Sequence, residues 1–246
     1  MSGDGFDKLR LIRSPHIGPV SYRQLVARFG SARAVLDALP DLVKRSGGKA
    51  AIADAHSVEQ ELAAAAKAGA RHVFLDDPEY PELLSYLDNG PACFLARGDL
   101  GLLDRNPIAI VGARNASAGA CRFARSLAHD LGQHDFAVVS GLARGIDTAA
   151  HMGSIDSGTI AVIAGGIDIA YPPENAELQD SIAERGLLIA EMPPGTEPRA
   201  RHFPHRNRII AGIALGTVVV EAAPKSGSLI TARLAAEAGR EVMAIP

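Results

Sequence analysis

The segment PIAIVGARNASAGACRFARSLAHDLGQHDFAVVSG, residues 107–141, decides the fold class. It begins with an apolar run rich in isoleucine and valine (108–112), turns at a glycine, and continues with a stretch of helical periodicity. A second short apolar run, residues 137–141, closes the segment. Strand, helix and strand in this order form a βαβ unit, in which the strands are parallel and the helix crosses one face of the sheet.

The same alternation continues to the end of the sequence. Further strand candidates, separated by glycine-bearing turns and helical patterns, are residues 159–165, 187–191, 217–223 and 241–246. Continuous apolar strands are typical of a sheet that helices cover on both faces. The pattern predicts an α/β class with a Rossmann-like, doubly wound, mostly parallel sheet over residues 107–246. Because the last strand candidate runs to the final residue, we expect a further C-terminal segment.

The N-terminal part differs from the rest of the chain. Short-looped helical patterns extend over residues 9–69 and predict a small all-α domain, residues 1–75. Within it, residues 14–30 resemble a helix-hairpin-helix, whose backbone amides can hold a phosphate, but the single glycine of the hairpin turn, Gly18, favours a structural role. A proline-punctuated connector, residues 76–106, follows and contains one short strand candidate at 93–96.

The composition bounds the classes of function. With 47% hydrophobic and 22% charged residues, the chain can bury a sizeable core, and its formal net charge is −3. Any affinity for a polyanion must therefore come from local clusters of basic residues. The two isolated cysteines argue against a disulfide framework or a CxxC site. No apolar run is long enough for a membrane span, and residues 1–10 lack the apolar core of a signal peptide, so we expect a cytoplasmic protein without a membrane partner.

Glycines and polar residues follow several of the predicted strands. In an open α/β sheet, ligands bind beyond the carboxyl ends of the strands, here residues 112–117, 140–147, 165–168 and 225–231. Glycines allow a phosphate close to the backbone, and helix N-termini attract anions. The first turn, residues 112–117, lacks the GxGxxG spacing of dinucleotide sites. In a Walker A loop the lysine directly follows a glycine, whereas Lys225 precedes Gly227. We predict a phosphate-binding crevice without a cofactor; ordinary strand-to-helix connections are the alternative.

A basic cluster surrounds the stretch HFPHRNRIIAG, residues 202–212. Four arginines and two histidines fall within ten positions: Arg199, Arg201, His202, His205, Arg206 and Arg208. Such a cluster could neutralise several phosphates, and Phe203 offers a ring on which a base could stack. Single-stranded nucleic acid suits this chemistry. The alternative is a solvated loop in which Phe203 only packs against the start of a helix.

Helical geometry distinguishes the two inner arginines. At about 100° per residue, Arg206 falls on the apolar stripe of the predicted helix, whereas Arg208 lies roughly 200° away. We therefore expect Arg206 to point inward, over the strand ends, as a phosphate ligand. Arg208 is predicted to be a surface or interface residue, and Asn207 to cap the helix or hold the loop.

Two other constellations are weaker. Ser140, Asp147 and His151 suggest a hydrolase triad, but Ser140 does not lie in a GxSxG element. His202 and His205 have no third metal ligand nearby. We expect neither catalysis nor a metal site.

Taken together, the motifs resemble a known family. They are YPELL (80–84), IVGAR (110–114), SGLARGIDTAAH (140–151), GTIAVIAGGIDIAYPPEN (158–175), FPHRNRIIAG (203–212) and EAAPKSGSLITARLAAEAGREVMAIP (221–246). This combination resembles the DNA-processing protein A family, also called DprA or Smf, the recombination mediators of natural transformation. The resemblance implies an extended Rossmann fold preceded by a sterile-alpha-motif-like helical domain. It also implies protection of incoming single-stranded DNA, its delivery to the RecA recombinase, and homodimerisation through the Rossmann domain.

The resemblance also implies a set of DNA-binding residues. They are Arg114, Ser140, Gly141, Gly165, Gly166, Arg199, Arg201, Phe203, Arg206, Asn207, Lys225, Ser226, Gly227, Ser228 and Thr231. Family members often place a lysine just before the FPxRNR element. Arg199 and Arg201 stand here instead, and which of them takes that role stays open.

Two other readings remain. The phosphoribohydrolases share this Rossmann variant but carry a PGGxGT element followed by a catalytic glutamate. The matching PKSGSLITA, residues 224–232, lacks that acid, so hydrolysis is not expected, although mononucleotide binding stays open. A pure scaffold, whose arginines serve only dimer contacts, would show no salt-sensitive binding of polyanions.

Overall fold

The N-terminal helices form a small bundle with its own core. The computed structural model describes residues 3–45 and 51–245. The bundle consists of α1 (Gly3–Ile12), α2 (Pro19–Phe29), α3 (Ala32–Arg45) and α4 (Ala55–Lys67). Leu11, Tyr22 and Val35, each from a different part of the bundle, are buried together at its centre. The predicted all-α unit is thus present.

A single eight-stranded sheet follows the bundle. Its strands are β1 (Arg71–Phe74), β2 (Cys93–Gly98), β3 (Ile108–Gly112), β4 (Val138–Ser140), β5 (Thr159–Gly166), β6 (Leu187–Met192), β7 (Gly216–Val220) and β8 (Glu241–Ala244). They are arranged in the order β1-β2-β6-β5-β4-β3-β7-β8. The six strands from β3 to β8 are parallel, whereas β2 pairs antiparallel with both β1 and β6.

Helices cover both faces of the sheet. The remaining helices are α5 (Glu82–Ser85), α6 (Ala118–Gln133), α7 (Ile146–Ser154), α8 (Ala176–Arg185), α9 (His202–Ile213) and α10 (Gly227–Glu237). On one face, Ile110 and Val138 pack against α6 and α7, and Ala161 packs against α8. On the other face, Val111 and Val139 pack against α9 and α10. This confirms the doubly wound, mostly parallel α/β fold that the strand pattern predicts.

Two strands of the sheet come from residues that the sequence pattern assigned elsewhere. β1 falls within the predicted helical domain of residues 1–75, whereas β2 lies in the connector 76–106 and confirms the short strand predicted there at 93–96. β1 was missed because its four residues, Arg71–Phe74, include two polar side chains and follow directly on a helix. The sheet therefore begins at residue 71, and the segment 71–98 extends it beyond β6 as an antiparallel pair.

A polar contact joins the bundle to this extension. The Arg13 guanidinium donates two hydrogen bonds to Glu61 of α4, at 2.8 and 2.7 Å. His72 of β1 lies 3.2 Å from the same carboxylate. Burial acts to raise the pKa of Glu61, but the hydrogen bonds from Arg13 and His72 outweigh it and lower the pKa to about 2.

The strand order places a crevice at one edge of the sheet. β3 lies between β4 and β7, and the helices that follow β3 and β7, α6 and α10, pack on opposite faces. The segments that leave the carboxyl ends of the neighbouring strands β3 and β7 therefore pass to opposite faces of the sheet, and a crevice for a ligand lies between them. No helix among residues 3–45 and 51–245 combines the length and the apolar composition that a membrane crossing requires.

Candidate nucleic-acid interface

A cleft with two adjoining lobes, of about 430 Å³ and about 870 Å³, lies at the predicted edge of the sheet. The smaller lobe is bordered by the loops after β3 and β4. The larger lobe extends to the turn before α10, residues 223–228. Both lobes share Arg114, Asn115, Ala143, Tyr171, Pro198, Phe203 and Arg206. The structure thus places several of the predicted DNA-binding residues around one cavity.

Arg206 lies at the floor of this cleft. It projects from α9 onto Gly141, so close that a Cβ at Gly141 would lie 1.8 Å from Arg206 Nη1. Arg206 is only 6% exposed, and its Nε has no hydrogen-bond partner within the described residues. Burial, helped by the charge of Arg114 and opposed by that of Asp147, lowers the pKa of Arg206 to about 10. An anion entering the cleft would supply the missing partner.

Asp147 organises the turn against which Arg206 packs. Its Oδ2 accepts hydrogen bonds from the backbone N–H groups of Gly141, at 3.2 Å, and Ala143, at 3.3 Å. Burial raises the pKa of Asp147, whereas Arg206 acts to lower it. The Asp147 carboxylate accepts its hydrogen bonds from the backbone of the turn and none from Arg206. Asp147 therefore acts on Arg206 only through its charge.

Aromatic rings line the cleft above Arg206. The Phe203 ring lies 5.5 Å from the Tyr171 ring, between centroids, at an angle of 52°. The Arg114 guanidinium carbon is 5.1 Å from the Phe203 centroid, within the range of a cation–π contact. Arg114 and Tyr171 are both exposed. The cleft therefore offers both ring faces and a guanidinium to a base and its phosphate.

The turn before α10 forms the opposite wall. Ser226 and Ser228 share a hydrogen bond of 2.8 Å between their hydroxyl groups, and no side chain caps the start of α10. Asn207 Nδ2 donates to the Gly227 carbonyl oxygen at 3.2 Å, so Asn207 holds this turn, one of its two predicted roles. Thr231, one turn into α10, is buried and lines the larger lobe. An uncapped helix N-terminus at this position favours an anion.

Three predicted residues do not line either lobe because they are buried in the fold. The Ser140 hydroxyl donates to the Ile110 carbonyl oxygen at 2.6 Å. Gly165 and Gly166 lie beneath the loop of residues 193–198, where an added Cβ would be 2.9 Å and 2.7 Å from backbone oxygens. Close packing of that loop requires glycine at both positions, and their predicted contact with DNA stays a prediction.

Three other predicted residues are exposed outside the lobes. Arg199 and Arg201 flank Ala200, which lines the larger lobe, and Lys225 precedes Ser226 on the same wall. All three therefore belong to the rim of the cleft, where a longer strand could reach them.

The prediction for Arg208 was wrong. Arg208 is 4% exposed and forms an ion pair with Glu191 at the end of β6, with Nη2 and Oε1 2.5 Å apart. His205 approaches the other Glu191 oxygen at 3.1 Å. Burial acts to raise the pKa of Glu191, but Arg208 and His205 outweigh it, so the pKa lies below its ordinary value. Both sides of α9 are thus buried, one against the cleft and one against Glu191.

The weaker constellations do not assemble. His151 Nδ1 shares a hydrogen bond of 2.7 Å with Thr159 Oγ1, while the Ser140 hydroxyl is bound to the backbone. Burial lowers the pKa of His151 to about 3, so it is neutral at physiological pH. No group of three or more His, Cys, Asp or Glu suited to a metal occurs among the described residues.

Two cleft residues were missed. Arg144, in the turn after β4, lines the smaller lobe and is paired with Glu174. Its position next to Ala143 in a glycine-bearing turn was the signal that could have identified it. Tyr171 lies 32 positions before Phe203 in the sequence, and only the sheet topology brings the two rings together.

Comparison with known families matches both parts of the chain. The family described as DNA recombination-mediator protein A matches residues 71–246, and the DprA-like N-terminal HHH domain matches residues 2–64. The DNA processing protein DprA of Bacillus subtilis is 43% identical over 188 residues, which cover 75% of this chain and 63% of that protein. Its counterpart in Streptococcus pneumoniae is 45% identical over 174 residues, or 70% and 61%. The chain thus spans somewhat over three fifths of these relatives.

Solved structures agree with the fold. DNA processing protein A from Streptococcus pneumoniae superimposes with a TM-score of 0.74 at 33% identity, covering 94% of this chain and 76% of that one. The Helicobacter pylori protein of the same name, described for its single-stranded DNA binding mode, gives a TM-score of 0.66 at 28% identity, covering 72% and 81%.

Proposed function

Because the chain belongs to the DNA recombination-mediator protein A family, we propose that it binds single-stranded DNA in the cleft between β3, β4 and β7. The observation that carries this proposal is Arg206, a buried guanidinium that faces the cleft and lacks a hydrogen-bonded counter-ion among the described residues. Keeping such a charge in the fold is costly, and a phosphate offsets that cost.

The aromatic side chains favour a single strand over a duplex. Phe203 and Tyr171 present ring faces next to the guanidinium of Arg114. In a duplex the bases are already stacked and paired, whereas a single strand can place a base on such rings. Stacking and phosphate contacts carry little sequence information, so we expect binding with little base preference.

We further propose that the bound strand is protected and delivered to RecA during natural transformation, and that the chain acts as a cytoplasmic homodimer through its Rossmann-like domain. Family membership supports this step. The proposed role is binding without catalysis. Two experiments test this step: RecA-dependent strand exchange with and without the chain, and its mass in solution by light scattering.

A titration of fluorescence anisotropy tests DNA binding itself. Labelled oligo-dT and the matching duplex would be titrated across a salt series with the unaltered chain, with Arg206→Ala, and with Arg233→Ala as control. Arg233 is exposed and paired with Glu237, so its replacement removes the same charge away from the cleft floor. We expect preferential binding of oligo-dT, and for Arg206→Ala weaker binding with a salt slope shallower by about 0.7.

The same titration separates the second candidate, a mononucleotide site. The cleft volume suits one nucleotide. Glu221 is the acidic residue nearest in sequence to the PKSGS turn, residues 224–228, and its carboxylate accepts hydrogen bonds from the Ser117 N–H and hydroxyl groups. Binding of a free nucleotide without binding of any strand would replace the mediator proposal with nucleotide binding. If neither binds, the arginines serve another purpose and both proposals fail.

A further inference from the structure

The distribution of unpaired arginines identifies a second basic surface. Most arginine side chains in the described part of the chain contact a carboxylate, a carbonyl oxygen or an aromatic ring. Among the arginines whose side chains the structure describes, those without a hydrogen bond, ion pair or ring contact of the side chain are Arg122, Arg125, Arg199, Arg201 and Arg206. The last three belong to the cleft or its rim, whereas Arg122 and Arg125 lie on α6.

Arg122, Phe123 and Arg125 form what we term the α6 patch. All three side chains are exposed, and Phe123 is among the large apolar residues left open to solvent, at 42%. Residues three apart on a helix have Cβ atoms about 5–6 Å apart, so both guanidinium groups face the same side. The acidic residue of α6, Asp130, lies more than one turn beyond Arg125. The α6 patch therefore combines two free cations with an open ring.

One short loop joins the cleft to the α6 patch. The loop of residues 113–117 leads from Arg114, which lines both lobes, directly into α6. The loop is held in place because Ser117 caps α6 and donates its N–H and hydroxyl groups to Glu221. From chain reach and helical rise, the Cα atoms of Arg114 and Arg122 are at most about 20 Å apart. At about 3.4 Å per stacked nucleotide, roughly six nucleotides span this distance.

We propose that a single strand leaving the cleft continues over the α6 patch, with phosphates at Arg122 and Arg125 and a base on Phe123. This inference rests on the proposed function. It is favoured over a protein partner because the α6 patch repeats the chemistry of the cleft, where a guanidinium lies over the ring of Phe203. The occupied site is thus longer than the cleft, and affinity depends on strand length.

Two oligomers and two double variants test the extension. Oligo-dT of about 4 nucleotides is too short to extend from the cleft to the α6 patch, which takes roughly six nucleotides, whereas one of about 20 nucleotides reaches both. Arg122→Ala/Arg125→Ala is compared with Arg71→Ala/Arg185→Ala, which removes the same net charge from two ion-paired arginines, one on edge strand β1 and one at the end of α8. For the first double variant we expect a loss on the order of 10-fold for the long oligomer, with a salt slope shallower by about 1.4, and an unchanged short oligomer. The control should match the unaltered chain with both.

Phe123→Ala supplies an independent test of stacking. It should weaken the long oligomer without changing the salt slope, because no phosphate contact is removed. The inference is overturned if the arginine double variant leaves the long oligomer unaffected, or weakens both oligomers by the same factor. In either case the proposed function survives as long as the short oligomer binds and Arg206→Ala weakens that binding. If neither oligomer binds the unaltered chain, the proposed function itself fails.

Discussion

Arg206 and Arg208, two positions apart on α9, should respond in opposite ways to replacement by methionine. Both side chains are buried, at 6% and 4% exposure. Arg208 is neutralised by Glu191, whereas the hydrogen-bonding groups of Arg206 are left for a ligand. Methionine is an unbranched side chain with a similar helix propensity to arginine, so Arg206→Met and Arg208→Met differ mainly in the electrostatic surroundings of the lost charge.

The expected magnitudes follow from those surroundings. Burial lowers the pKa of Arg206 to about 10, well below its ordinary value, and because each pKa unit corresponds to 1.36 kcal/mol, the charged form costs the fold on the order of 3 kcal/mol. Arg206→Met removes this cost and should stabilise the free protein by about 1–3 kcal/mol. Arg208→Met leaves Glu191 buried with only His205 as partner and should destabilise by about 3 kcal/mol.

Urea unfolding followed by circular dichroism measures both changes, since the chain has no tryptophan. The same variants are titrated with oligo-dT. We expect Arg206→Met to unfold at higher urea and to lose DNA affinity, and Arg208→Met to unfold at lower urea. If Arg206→Met were destabilised by more than about 1 kcal/mol, the guanidinium would have a stabilising partner in the free protein, which would refute an Arg206 held ready for an external anion.

Three further changes test the cleft and the core. Gly141→Ala places a methyl group where the Arg206 guanidinium lies and should weaken oligo-dT binding about 10-fold or more in anisotropy titrations; Gly3→Ala, with no atom within 4 Å, should have no effect. Phe203→Leu should cost about 1–3 kcal/mol of binding with an unchanged salt slope, and a changed slope would contradict a stacking role. His151 is neutral in the fold with a pKa of about 3, whereas the unfolded chain takes up its proton near pH 6.5. Stability should therefore fall from pH 6.5 towards 3 by about 1.4 kcal/mol per unit in urea unfolding, and His151→Gln should reduce that slope; an equal slope would refute this assignment.

The parallel core of the sheet could be predicted because each of its strands is a continuous apolar run. Helical periodicity also placed Arg206 on the buried stripe of α9, where the structure has it. The same reasoning failed for Arg208 because it assumes that one side of a helix faces solvent. α9 is buried on both sides, and Glu191, which neutralises Arg208, lies on a different strand.

Local patterns were also ambiguous at Gly165 and Gly166. A glycine that admits a phosphate and a glycine that admits a neighbouring loop look the same in sequence, so the contact of these two with residues 193–198 could not be predicted. Tyr171 could not be assigned to the cleft because nothing near it in sequence indicates its contact with Phe203. β1 was missed for a related reason, since its pairing partner β2 stabilises it and its own composition does not.

The antiparallel attachment of β2 has a consequence for synthesis. β2 pairs with β6 through Leu95 and Ala190, so about 95 residues must be added after β2 before its inner neighbour exists. At about 5–20 residues per second, translation leaves this interval open for roughly 5–20 s. During that time the helical bundle and the β1–β2 pair can form, but β2 exposes a row of unpaired backbone groups. The newly made chain is then most vulnerable to association with other copies, and the emergence of β6 ends that period.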